Sequence, residues 1–293
     1  MRLTVALYNR FMNVFFFVHA QIFFIFSFLP KKKRNKVPNV IVSLTSFPKR
    51  IGYVYLVIDS LLRQFYKSCE IHLYLSEEDF PEKILPLKLR RQEKMGLKIH
   101  FEKGNMRSHK KYLYAMKNFF DLPVITVDDD IFYNADMVSS LIDSYKKYPQ
   151  AVSSLRGGSI TFDNKNEICS YKDWKFLKFA PPSMNNYATG GGGCLYPPHC
   201  LPKLAFDEKK IMELCPYADD LWLKIMETIN CIKVCIVPHN RDVIYSFFTK
   251  TSPALSQVNN EQKQNDVQMK AMLEVFNEIH GKNDTLIEKM KEK

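Results

Sequence analysis

From Val40 to Tyr148 short apolar runs alternate with amphipathic segments, and this alternation restricts the possible fold more than any other feature of the chain. Val40-Ile-Val-Ser-Leu44 predicts a buried strand, and Tyr53 to Phe65 carries apolar residues at helical spacing. Ile71, Leu73 and Leu75 alternate with His72 and Tyr74 as a second strand, and Leu97 to Phe101 predicts a third. Pro81 is suited to opening a short helix, and Ser108 can cap a helix reaching Phe120. Pro123 to Val127 predicts a fourth strand; a helix then starts at Asn134 or Asp136 and stops near Tyr148, before Pro149. Strand, helix, strand, helix at this spacing means βαβ units. The expected fold is α/β, a mostly parallel Rossmann-like sheet with helices on both faces.

The second half is looser: a polar stretch from Arg156 to Asn186, a glycine run, a helix from Ala218 to Ile229 and a strand ending at Val237. No internal repeat or shift of composition divides residues 37 to 250, so they are expected to form one domain. Residues 1–36 precede it, and residues 251–293 follow as a polar linker and a helix. A hydrophobic share of 46% with 25% charged residues excludes overall disorder.

Eight of the 22 Phe fall between Phe11 and Phe28. Phe11 to Leu29 spans 19 residues without a charge, 15 of them apolar. At about 1.5 Å per residue such a helix approaches the roughly 30 Å of a hydrocarbon core. Lys31-Lys32-Lys33-Arg34 follows where a cleavable signal would need small residues, which points to a membrane-associating helix, spanning or lying on the surface. Lys31, Lys32, Lys33, Arg34 and Lys36 after the segment outnumber Arg2 and Arg10 before it, so the domain is expected on the cytoplasmic side. The 7 Cys, odd in number and without framework spacing, read as reduced thiols.

Asp128-Asp129-Asp130, at the carboxyl end of the fourth strand, is the sharpest chemical signal. Three adjacent carboxylates repel one another, and oxygen-only ligands beyond a strand end suit Mg²⁺ or Mn²⁺ better than they suit a solvated turn. The basic excess is concentrated as well. Lys plus Arg number 42 against 31 Asp plus Glu, a net +11, and residues 83 to 117 hold 11 Lys or Arg against 2 Glu. Within that segment Lys110 and Lys111 open a helix and are candidates for contact with a phosphate, whereas Lys88 to Lys98 read as a solvated face. Nucleic acid is disfavoured because no aromatics share the basic stripe. Thr189-Gly190-Gly191-Gly192-Gly193 ends abruptly at Pro197-Pro198 and is either a flexible surface loop or a loop that approaches a substrate. Asp219-Asp220 begins a helix, either as cap and first-turn acid or as a general base.

Together these stretches resemble a nucleotide-sugar glycosyltransferase of the GT-A fold, similar to the family 2-like bacterial enzymes of surface-polysaccharide synthesis. Val42 to Ile51, Leu73 to Phe80, Ser108 to Ala115, Thr126 to Tyr133, Thr189 to Pro198 and Tyr217 to Leu223 carry the resemblance, in order. It implies a sugar moved from a nucleoside-diphosphate donor to a hydroxyl of a glycan or lipid-linked acceptor. Asp128 and Asp130 match the family's DxD and, with His239 as a late ligand, would hold Mn²⁺ or Mg²⁺. Thr45 to Arg50 would meet the nucleoside, with Asp129, Lys110 and Lys111 also toward the donor. Gly190 to Gly193 and Trp222 would bind the acceptor, and Asp220, or Asp219, would be the base. Two other readings are a phosphotransferase or nucleotidyltransferase using the same aspartates, and a non-catalytic protein binding glycan at a membrane surface.

Overall fold

The strand β1 (Val40–Thr45) buries both of its faces: Val40, Val42 and Leu44 enter one apolar cluster, and Ile41 enters another. That is the signature of a sheet covered by helices on two sides. The computed structural model describes residues 18, 22, 39–238, 264–277 and 285–292. Most of the apolar segment Phe11 to Leu29, the basic run after it and His239 lie outside these residues. Among the described residues no helix is long and apolar enough to cross a membrane.

After β1 come α1 (Pro48–Ile51), α2 (Val54–Leu62), β2 (Cys69–Ser76), α3 (Leu87–Glu93), β3 (Leu97–Glu102), α4 (Lys110–Asn118), β4 (Val124–Thr126), α5 (Met137–Lys147) and β5 (Val152–Ser154). The second half contributes β6 (Gly157–Ser159), β7 (Lys175–Phe176), β8 (Ala180–Ser183), β9 (Asn186–Ala188), β10 (Cys194–Tyr196), α6 (Glu208–Leu214), α7 (Asp219–Ile229) and β11 (Val234–Ile236). Then α8 (Gln264–Phe276) and α9 (Leu286–Lys291) follow.

Eight strands form one sheet in the order β3-β2-β1-β4-β10-β5-β11-β8. Six run in one direction, whereas β10 and β8 run against their neighbours. The expected mostly parallel α/β sheet is therefore present, with an antiparallel strand inserted near its middle. Helices α2, α3 and α5 cover one face through Leu56, Leu89 and Leu141. The other face is covered by α4 and α7, with Leu113, Trp222 and Ile225, and by α8 and α9, with Met272, Phe276, Leu286 and Met290. A small sheet, β7-β6-β9, stands beside the large one.

Two local expectations fail for backbone reasons. Pro81 opens no helix: Lys83 takes φ +54, a left-handed conformation that a helix does not pass through, and α3 begins only after Pro86. Ser108 caps nothing. It sits inside a 3-10 turn, Arg107–His109, that feeds α4 without a side-chain cap. All 7 cysteines are free thiols, and 5 of them, Cys69, Cys194, Cys200, Cys215 and Cys235, are buried in the core.

Candidate active site

The inserted strand decides where the site forms. Cys194, at the start of β10, pairs with Thr126 of β4 on one side and with Ser154 of β5 on the other. Because β10 runs antiparallel to both, the glycines that precede it lie where β4 and β5 end. Asp128 and Arg156 therefore flank the glycine run. An ideal Cβ on Gly190 would stand 2.6 Å from Lys111 Nζ, 3.1 Å from Asp128 Oδ1 and 3.3 Å from Asp220 Oδ1. One on Gly192 would stand 2.6 Å from the backbone N of Arg156, and Gly193 has φ +91. The run is a tight 3-10 turn squeezed among charged groups, not a free surface loop.

The carboxylates around it are tied to cations of the chain. Ser46 Oγ donates to Asp129 Oδ2 at 2.6 Å, and Arg50 Nη1 reaches Asp129 Oδ1 at 2.6 Å and Asp130 Oδ2 at 3.0 Å. Lys111 Nζ lies 2.7 Å from Asp128 Oδ1 and 2.8 Å from Asp219 Oδ2, joining the end of β4 to the start of α7. Gly190 N–H donates to Asp220 Oδ1 at 2.9 Å, and Asp128 N–H donates to Tyr133 Oη at 2.8 Å.

This wiring separates the two acids of α7. Burial would push both carboxyls up. At Asp219 the ammonium of Lys111, followed by His109, outweighs burial and holds the group below the usual carboxylate range. At Asp220 burial and then the charge of Asp219 prevail over Lys111, and the carboxyl is pushed up to about 7. For Lys111 itself burial lowers the affinity for a proton, but Asp128, Asp219 and Asp220 together raise it well above the ordinary value, so it stays charged.

Asp128 and Asp130 form an oxygen-only donor set that keeps contact with solvent, their side chains being 32% and 18% exposed. Asp129 is turned inward, at 8%. Among the described residues no group of three His, Cys, Asp or Glu is placed to enclose a metal ion. Two carboxylates at an open edge fit a hard divalent ion that draws the rest of its shell from water and phosphate; they do not fit a closed structural site.

The other expected residues divide. Arg50 and the glycine run sit at the carboxylate cluster. Thr45 spends its hydroxyl on the Tyr74 carbonyl, at 2.8 Å. Lys110, expected to meet a phosphate, is 2% exposed and donates to Asn105 at 2.9 Å, with Asp79 at 3.7 Å. Lys111 is likewise engaged by carboxylates of the chain. Trp222 does not line the site. It is fully buried, donates to the Ala205 carbonyl at 3.1 Å and packs edge-on against Phe276, because it lies on the apolar face of α7.

Three residues at the site went unforeseen. Tyr133 pins the turn after β4, and its place in the acidic motif was the available signal. His109, fully buried behind Asp219, bonds the Cys215 carbonyl at 2.8 Å. Arg156 is exposed beside the glycine run, but β5 before it is too short and too serine-rich to read as a strand.

The sequence matches no family model and no curated protein. Among solved structures it resembles the mannosyltransferase PcManGT from Pyrobaculum calidifontis in complex with GDP-Man and Mn²⁺, with 12% identity and a TM-score of 0.49, over 98% of this chain and 77% of that one. It also resembles residues 1–349 of S. aureus TarS in complex with UDP, with 15% identity and a TM-score of 0.48, over 81% and 72% of the two chains. TarS in complex with UDP-GlcNAc gives 14% and 0.45, over 81% and 72%. The structures it is similar to thus include a mannosyltransferase and a protein that holds UDP or UDP-GlcNAc.

Proposed function

We propose that this chain is a glycosyltransferase that moves a sugar from a nucleoside-diphosphate donor to a hydroxyl of a glycan or lipid-linked acceptor. The observation that carries this reading is the convergence of Asp128 and Asp220 on one glycine turn, with Asp219 joined to Asp128 through Lys111 and the proton affinities of Asp219 and Asp220 driven apart. A pair of acids separated in this way divides the labour: one stays charged and holds the scaffold, and the other exchanges a proton near neutral pH.

In this mechanism Asp220 takes the proton of the acceptor hydroxyl as that oxygen attacks the anomeric carbon. The bond between that carbon and the diphosphate oxygen breaks, and the nucleoside diphosphate leaves with the electron pair. Gly190 N–H orients the Asp220 carboxylate, and Lys111 bridges Asp128 and Asp219 and keeps Asp219 ionised without itself leaving the protein interior. Asp128 and Asp130 would hold Mn²⁺ or Mg²⁺, which supplies positive charge to the leaving diphosphate when bound. Arg50 serves the donor side by keeping Asp129 and Asp130 in place.

The finer picture is that residues 37 to 250 form the catalytic domain and that the apolar segment before them holds it at the cytoplasmic face of a membrane, where surface polysaccharide is built. Incubation with a panel of nucleotide sugars and Mn²⁺ tests the function. Release of a nucleoside diphosphate from at least one donor is expected, with Asp220→Asn losing about 10²-fold or more of the transfer rate at near-normal donor affinity. Release of pyrophosphate or a free sugar phosphate would refute the reading in favour of nucleotidyl or phosphoryl transfer.

A further inference from the structure

Four consecutive glycines are more than a substrate loop needs, and the structure supplies a reason for two of them. Arg156 lies just past β5, across the run from Asp128. An ideal Cβ on Gly192 would stand 2.5 Å from Arg156 Cβ, and one on Gly191 would stand 2.9 Å from Arg156 Nη1. The same point above Gly191 is 3.7 Å from Asp128 Oδ2. Glycine at these positions lets the Arg156 segment lie directly over the turn and brings its guanidinium and the Asp128 carboxylate to one small region of space.

Arg156 is nevertheless not spent on the acids. It is exposed, and among the described residues its guanidinium makes no ion pair or hydrogen bond; its Cζ lies 5.3 Å from the centre of the Phe176 ring. The other cations of the site differ. Arg50 is held by Asp129 and Asp130, Lys110 by Asn105 and Asp79, and Lys111 by Asp128 and Asp219. An incoming polyanion would meet five carboxylates, Asp128 to Asp130 with Asp219 and Asp220, whose paired cations are already engaged. Beside the divalent ion that Asp128 and Asp130 would hold, an uncommitted cation of the chain offsets that repulsion at short range, and a guanidinium presents paired donors that match phosphate oxygens.

We infer that Arg156 is the donor's diphosphate-binding residue, gripping the phosphates from the side of the glycine run opposite Asp128, with the Phe176 face steadying the guanidinium. This rests on the nucleotide-sugar reading above. It transfers to Arg156 the phosphate contact that the sequence suggested for Lys110 and Lys111.

The test measures binding of UDP, GDP, uridine and guanosine to the full chain with Mn²⁺, by ligand-observed magnetic resonance. For whichever diphosphate binds the wild type, Arg156→Ala is expected to weaken affinity about 10- to 100-fold, the range for a hydrogen bond to a charged group. Binding of the matching nucleoside should not change. Arg156→Lys should restore only part of the loss, since it keeps the charge and gives up the fork, and Phe176→Ala should weaken the diphosphate by less than Arg156→Ala. Thermal melting of each variant reports whether the fold survives. Unchanged diphosphate affinity in Arg156→Ala would overturn the assignment, and so would an equal loss for nucleoside and diphosphate. If the wild type binds neither diphosphate, the nucleotide-sugar reading falls first and takes this assignment with it.

Discussion

Lys111 is the group whose removal the structure prices most clearly. Its Nζ sits 2.7 Å from Asp128 and 2.8 Å from Asp219, and its side chain is 5% exposed. Lys111→Met keeps the length of the side chain and deletes the charge. At an effective dielectric near 20, each contact is a gross attraction of about 6 kcal/mol, most of it offset by the desolvation of the ions. What remains when one partner of a buried pair is removed is about 3–5 kcal/mol, because the other is left charged and unpaired. Asp219, at 9% exposure, bears most of that cost, whereas Asp128, at 32%, is partly relieved by water.

Urea unfolding followed by tryptophan fluorescence measures the change, since Trp174 and Trp222 are both buried. The double variant Lys111→Met with Asp219→Asn removes the stranded charge and should recover at least 1–2 kcal/mol of the single variant's loss. A Lys111→Met chain within 1 kcal/mol of the wild type would refute the account. Recovery absent in the double variant would refute it equally, since the penalty would then come from packing and not from an orphaned carboxylate.

Two further outcomes follow from the same geometry. Gly192→Ala puts a methyl 2.6 Å from the Arg156 backbone N, which no rotamer can relieve; a loss of about 1–3 kcal/mol in unfolding free energy is expected, with weakened nucleotide binding. Burial lowers both His72 and His109 to about 4, against 6.5 in an unfolded chain, so their contribution is complete above pH 6.5 and declines as the pH falls from there toward 4. Each is worth at most about 3 kcal/mol over that range, and a urea midpoint that stays flat between pH 7.5 and pH 5 would contradict this.

The first half of the molecule was legible because its signals are local. The runs of Val40 to Leu44 and Ile71 to Leu75 are strands β1 and β2, and the spacing within Tyr53 to Phe65 matches α2. The periodicity that places a strand also places the residues just beyond it, so the sequence alone sets Asp128 to Asp130 at a strand end. The face of a helix is equally a matter of period. Trp222, expected at the acceptor, sits three positions before Ile225 and four before Met226, all of them buried, and that spacing is the signal that places it in the core instead. Burial at a helix start is another matter: a lysine at the first turn looks the same in sequence whether water or two aspartates surround it. The sequence presents Lys110 and Lys111 as cations facing a ligand because Asp79, Asp128 and Asp219, which claim them, are distant along the chain.

The site depends most on the feature that the sequence conceals best. β10 is three residues long, preceded by glycines and followed by two prolines, and nothing in its local pattern marks it as a central strand. Yet its antiparallel insertion between β4 and β5 sets Asp128, Arg156 and the Gly190 amide that binds Asp220 around one turn. With β10 between them, the ends of β4 and β5 stand two strand spacings apart, about 10 Å. An antiparallel strand brings its own leading loop into that gap, and only glycines are small enough for charged side chains to close over it. The geometry also fixes the register. A slip of one residue would turn Cys194, now buried against Ser154, to the opposite face of the sheet and put a side chain where Gly193 holds its positive φ. Gly190 to Gly192 are thus a consequence of strand order, the backbone passing between carboxylates and the Arg156 segment without adding a single atom of side chain, and Gly193 is held by its positive φ.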